Sequence, residues 1–181
     1  RTPACGREAA MKILTFSTLY PNAVRPVHGI FVETRLRFLV ASGAVQSTVV
    51  APVPWFPFEN DFFGEYARHA RAPREETRSG IRVLHPRYFL LPKVSMTTAP
   101  ALLAAAALPV LRKVVAQGHD LDLIDALCFY PDGVAAAWLG RRLGKPVVIT
   151  ARGTDLNLIP QYPLPRRMIQ WAARESARMV T

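Results

Sequence analysis

Between Asp122 and Asn157 the chain reads DLIDALCFYPDGVAAAWLGRRLGKPVVITARGTDLN, and this order of residues leaves few folds open. An apolar run over 121–128 leads into Tyr130-Pro131-Asp132-Gly133. An Ala-rich segment then ends at Gly144, and the β-branched Val147-Val148-Ile149-Thr150 delivers Arg152-Gly153-Thr154-Asp155. The pattern is that of a strand, a helix and a parallel strand. Both strands of such a unit end at the same sheet edge, so the loops at 130–133 and 152–155 should lie side by side. Open parallel sheets bind their ligands at that edge.

The N-terminal part repeats the theme. Residues 13–17 form a short apolar run, and periodicity is then lost through Tyr20-Pro21-Asn22 to Pro26-Val27-His28-Gly29. From Ile30 a helical period sets in, with Val32, Leu36, Leu39 and Val40 on one stripe and Glu33 and Arg37 as an i,i+4 pair on another face. Ser42-Gly43 stops the helix and a strand follows over 47–51. Two β-α-β units in succession predict an α/β, Rossmann-like three-layer domain with a mostly parallel sheet.

Six prolines break up residues 52–93. Trp55-Phe56-Pro57-Phe58 reads as an aromatic loop leaving the second strand, residues 80–85 alternate as a strand does, and the charged 67–79 reads as an exposed connection. An Ala/Leu-rich helix is expected from about Thr98 to Gln117, ended by Gly118-His119-Asp120. Residues 165–180 read as an amphipathic basic helix carrying Arg167, Arg174 and Arg178 against Glu175. Such a face is either solvated or laid on a membrane surface. Met179-Val180-Thr181 resembles the start of a further strand, so 11–181 is expected to be one domain at the front of a longer protein. Residues 1–10, ahead of Met11, read as an upstream tail without fixed structure.

Composition narrows the partners. With 23 Lys plus Arg against 13 Asp plus Glu the net charge is +10, which favours phosphate esters, acidic membrane surfaces or nucleic acid. The arginines are scattered, with neither a basic block nor a nucleic-acid motif, so nucleic acid is not expected as a partner. Two cysteines make no disulfide framework, and a cytoplasmic location is the simplest expectation. The apolar run over 99–111 is only about 13 residues long and contains Pro100 and Pro109, too short for a membrane span. No G-x-G-x-x-G follows the first strand, no P-loop or G-x-S-x-G is present, and no Cys/His set has metal spacing.

Four stretches taken together resemble a known family: Met11-Lys12-Ile13-Leu14 with the Tyr20-Pro21 loop; His28-Gly29-Ile30-Phe31-Val32-Glu33; Asp122-Leu123-Ile124-Asp125 with Tyr130-Pro131-Asp132-Gly133; and Lys145-Pro146-Val147-Val148-Ile149-Thr150 with Arg152-Gly153-Thr154-Asp155. Their order and spacing are similar to the N-terminal domain of GT-B glycosyltransferases of the retaining, family 4 type. The resemblance implies two Rossmann-like domains facing across a cleft. The N-terminal one binds a sugar or lipid-linked sugar acceptor, and a C-terminal one, outside this chain, binds most of a nucleotide-sugar donor. It implies no resident cofactor or metal. With the basic surface, it points to polysaccharide or glycolipid synthesis at the inner membrane face. A non-catalytic binding domain and another Rossmann-like enzyme stay open beside it.

The resemblance also nominates residues. Gly29 matches the glycine where the donor diphosphate approaches the first helix; alternatively it only permits a sharp turn. Arg152 takes the first position of a loop that in relatives reads H-G-x-D or R-G-[ST]-D. It is always cationic and either suited to an anionic acceptor or diphosphate or engaged in structural pairing alone. Asp155 either orients Arg152, accepts a sugar hydroxyl or caps a short helix beginning near Leu156. Tyr130 and Trp55 either stack on a sugar or pack on their own loops, Asp132 is expected to N-cap the helix that follows it, and His28 is a candidate cleft residue.

Overall fold

The computed structural model describes residues 10–55, 71–89, 95–117 and 120–181. The expected tail through Ala9, most of the aromatic loop after Trp55 and the Gly118-His119 helix stop lie outside these residues.

The chain runs β1 (Met11–Phe16), α1 (Ile30–Ala41), β2 (Val45–Val50), β3 (Val53–Trp55), β4 (Glu75–Arg78), β5 (Ile81–Leu84), β6 (Arg87–Phe89) and α2 (Ser95–Ala116). It continues with β7 (Leu123–Ala126), a wide turn at Phe129–Gly133, α3 (Val134–Leu143), β8 (Val147–Thr150), α4 (Gly153–Asn157), α5 (Pro163–Glu175) and β9 (Arg178–Val180). Seven strands make one sheet in the order β4-β5-β2-β1-β7-β8-β9, and β3 and β6 pair separately. Every pairing is parallel except β4 with β5. The expected α/β Rossmann-like architecture is therefore present, with its strand order reversing between β1 and β7.

Register explains how one sheet serves two cores. Leu84, Val50, Phe16, Ala126 and Ile149 stand opposite one another across five strands. Side chains in register on a parallel sheet point to one face. These five enter one apolar cluster with Leu103, Ala107 and Leu111 of α2, Ala135 and Leu139 of α3, and Ile169 and Ala172 of α5. The row one residue earlier faces the other way. Val83 and Val49 meet Val32 and Leu36 of α1, while Asp125 in the same row pairs with Arg35 of α1 at 2.7 Å.

Four local expectations are corrected. Glu33 does not pair with Arg37; it is buried and pairs with Arg78, whose Nε lies 3.2 Å from Oε1. Part of the supposed exposed connection, Glu75–Arg78, is a strand on the sheet margin. Arg178 belongs to β9, so the basic helix ends at Glu175. The α2 helix extends beyond the 13-residue apolar run, and Met96–Ala116 is long and apolar enough to cross a membrane by length and composition. Its Leu103, Ala107, Leu111 and Val114, at helical spacing, are buried in the core.

Candidate functional site

The C-terminal ends of β1, β7 and β8 deliver three loops to one edge, and side chains bind them to one another. Asp132, fully buried, accepts the Thr18 N–H at 2.8 Å and the Thr18 hydroxyl at 2.9 Å. This tie crosses the point where the strand order reverses. Burial pushes the Asp132 carboxyl up to about 6, and the hydrogen bonds from Thr18 and Ser17 hold it from rising further. Asp132 is not the expected helix cap, because Gly133 takes that position in front of α3 and no side chain caps the helix.

Asp155 is likewise buried, and its Oδ2 accepts the Phe129 N–H at 2.7 Å. Burial raises its pKa against the bonds it receives from Phe129 and Arg152. It lies inside α4, which begins at Gly153, so it neither caps a helix at Leu156 nor turns its carboxylate outward. The loops at 127–133 and 151–157 lie side by side as the sequence pattern requires. Cys128 sits between the two acids, and burial with their charges pushes its thiol up to about 12.

Arg152 reaches furthest. Its Nε donates to the Leu127 carbonyl at 3.1 Å, and its guanidinium lies 4.4 Å from the centroid of the Phe31 ring on α1. The β8 loop is thus tied to the beginning of the helix that Gly29 opens. Gly29 has φ +66°, and a Cβ there would overlap the Leu19 carbonyl group, so its turn-forming role is established by geometry. Among the described residues no side chain caps the α1 N-terminus, which leaves a positive helix end and an anchored guanidinium at one corner of the sheet edge.

Tyr130 is not placed to stack on a sugar. It is buried, its hydroxyl donates to the Met96 carbonyl, and burial pushes its pKa up to about 12. Trp55 remains partly exposed at 37% and lies against Phe89, ring centroids 4.6 Å apart. His28 lines a cavity of about 230 Å³ beside the β1–α1 loop, together with Thr18, Asn22 and Arg25. Pro52, Pro54 and Tyr88 also line it. Asn22, Arg25 and Tyr88 escaped sequence reasoning. The available signal was Pro21-Asn22, a pair that starts turns by side-chain bonding to the backbone two and three residues on.

A larger cavity of about 400 Å³ opens between α1 and the start of β5, lined by Arg37, Phe38 and Ser79. It lies at the edge where strands begin, away from the loops just described. Among the described residues no cluster of three or more His, Cys, Asp or Glu side chains forms a metal site.

Strand order, parallel pairing and a loop-built edge at the strand C-termini define a doubly wound, Rossmann-like α/β domain. In sequence the chain is similar to a Bacillus subtilis (strain 168) protein described as "Putative teichuronic acid biosynthesis glycosyltransferase TuaC", 32% identical over 153 residues. The match covers 84% of this chain and 39% of that protein, so the chain spans about two fifths of the length of the curated relative it matches. Among solved structures, a Polygonum tinctorium UDP-glucosyltransferase in complex with 3,4-dichloroaniline superposes with a TM-score of 0.46 at 16% identity, covering 84% of this chain and 31% of that one. No protein-family profile matches the chain.

Proposed function

We propose that this chain is the acceptor-side, N-terminal domain of a GT-B glycosyltransferase of the retaining, family 4 type. The full-length protein would move a sugar from a nucleotide diphosphate sugar to a hydroxyl acceptor in polysaccharide or glycolipid synthesis. The observation that carries this reading is the 32% identity to the TuaC protein over most of the chain. The sheet edge is chemically suited to it. The α1 N-terminus and Arg152 supply positive potential where diphosphate charge would develop, and a carbohydrate-sized cavity opens beside them.

The donor-binding domain would follow this one, the nucleotide-sugar is a substrate and no resident cofactor is invoked. The protein would work at the inner membrane face, touching anionic lipid through α5, where Arg166, Arg167 and Arg174 are exposed close to exposed Leu158, Tyr162 and Leu164.

Incubating the full-length protein with a panel of nucleoside diphosphate sugars and simple glycosides tests the central claim. Release of nucleoside diphosphate that depends on both protein and acceptor is the expected result. If no donor is bound or consumed, the reading as a transferase fails and a non-catalytic binding domain takes its place.

A further inference from the structure

The cavity beside the β1–α1 loop has a charge arrangement that separates it from a generic sugar cleft. Arg25 is a permanent cation in its wall, and among the described residues the lining contains no aspartate or glutamate. The acid behind that wall, Asp132, is fully buried and directs both oxygens to Thr18. Among the described residues no acid forms an ion pair with Arg25. Its half-buried side chain therefore keeps the guanidinium's capacity for a bidentate bond to a carboxylate or phosphate.

The backbone that presents Arg25 is fixed. Buried Asn22 accepts the N–H groups of Val24 and Arg25 on Oδ1 at 3.0 and 2.9 Å. The Arg25 carbonyl in turn accepts the N–H groups of Asn22 at 3.3 Å and His28 at 3.2 Å. A backbone held this way needs no reordering when the side chain it carries binds a ligand. Pro52, Pro54 and Tyr88 also line the cavity, with Pro54 and Tyr88 in register across β3 and β6, and rings of this kind can receive the C–H face of a pyranose. The volume, about 230 Å³, is below the roughly 300–1,000 Å³ of drug-sized pockets and suits a single ring.

We infer that this cavity is an acceptor subsite for one sugar carrying an anionic group, a carboxylate or a phosphate, and that Arg25 is its specificity-determining residue. The inference rests on the glycosyltransferase reading for the word acceptor, but not for the binding itself. The Asn22 side-chain NH2 and the Thr18 hydroxyl oxygen, as an acceptor, are the polar groups offered to ring hydroxyls, and Arg25 receives the charge.

Titration calorimetry of the full-length protein with D-glucuronate, glucose 6-phosphate, glucose and inorganic phosphate is the test. Glucuronate or glucose 6-phosphate should bind at least tenfold more tightly than glucose, and whichever does so identifies the source of the charge. Arg25→Ala should erase that preference, with Arg25→Lys restoring part of it and thermal melting of both variants matching wild type. The inference is overturned if no acidic sugar binds, if the preference survives in Arg25→Ala, or if inorganic phosphate binds as tightly as the sugar phosphate, which would make the cavity an anion hole only. Arg25-dependent binding without any sugar transfer would leave the subsite standing and remove the transferase reading. Transfer to a neutral acceptor that is untouched by Arg25→Ala would do the reverse.

Discussion

Asp132 and Thr18 stand 114 positions apart in sequence, yet one carboxylate takes both the backbone N–H and the hydroxyl of that threonine. The pair fastens the β7 loop to the β1 loop, and it does so with a fully buried acid. A carboxyl group raised from 3.8 to about 6 holds a proton in the folded chain that the unfolded chain has released. Its contribution to stability is complete below pH 3.8, declines as the pH rises and is gone above about pH 6. A shift of this size corresponds to about 3 kcal/mol. Stability of wild type minus that of Asp132→Asn, measured by urea unfolding, should therefore fall by about 2–2.5 kcal/mol, most of that amount, between pH 4 and pH 7. A difference that stays flat over this window would show that Asp132 is not the buried acid described.

Gly29 and Gly43 both adopt positive φ, but only Gly29 has backbone where a Cβ would go. A left-handed conformation costs a non-glycine residue about 1–2 kcal/mol, and this is all that Gly43→Ala should lose. Gly29→Ala must in addition push the Leu19 carbonyl aside. We expect it to be the more destabilising of the two by at least about 1 kcal/mol, a margin usual for overpacked sites. Equal denaturation midpoints would contradict the close approach. For the same reason a lowered turnover in a Gly29 variant cannot be assigned to lost diphosphate binding.

Arg152 is the better probe of that corner. Lysine keeps the charge but lacks the planar fork that lies on Phe31 while donating to Leu127. Loss of the stacking and one hydrogen bond should cost Arg152→Ala and Arg152→Lys on the order of 1–2 kcal/mol of stability. If the guanidinium also meets the diphosphate, both variants should lose at least tenfold in turnover of the full-length protein. Phe31→Leu, which removes the ring and keeps the guanidinium, should lose much less. Wild-type rates in both arginine variants would make Arg152 a structural brace.

The frame was legible because it depends on local pattern. Apolar runs bounded by Gly43 and Gly144, together with helical spacing in α1 and α3, identify both β-α-β units without reference to distant residues. The destinations of polar side chains were not legible, because each depends on a partner far along the chain. Glu33 finds Arg78 rather than Arg37, Tyr130 finds Met96, and Asp132 finds Thr18. The β4 strand was missed for a related reason. Glu75-Glu76-Thr77-Arg78 lacks apolar alternation because it occupies the sheet margin, where charged residues protect an open edge. Arg152 and Gly29 were nominated through the resemblance. Arg25 was missed because the Pro21-Asn22 signal marks a turn and does not show that a cavity opens beside it.

The proposed membrane contact rests on α5 and the turn before it, and each of its two components predicts a different response. Arg167 and Arg174 are exposed, and a basic residue near an anionic surface contributes about 1 kcal/mol that salt screens away. Leu158, Tyr162 and Leu164 are exposed apolar groups whose insertion salt would not oppose. In co-flotation with vesicles, the full-length protein should therefore bind phosphatidylglycerol-containing membranes well above pure phosphatidylcholine at low salt. Arg167→Ala with Arg174→Ala should lower that binding by roughly twentyfold to thirtyfold, the factor that about 2 kcal/mol implies. Leu158→Ser with Leu164→Ser should weaken the fraction that persists at 0.5 M NaCl. Equal binding to neutral and anionic vesicles would remove the basic face from the contact, and no binding to either would remove the contact itself.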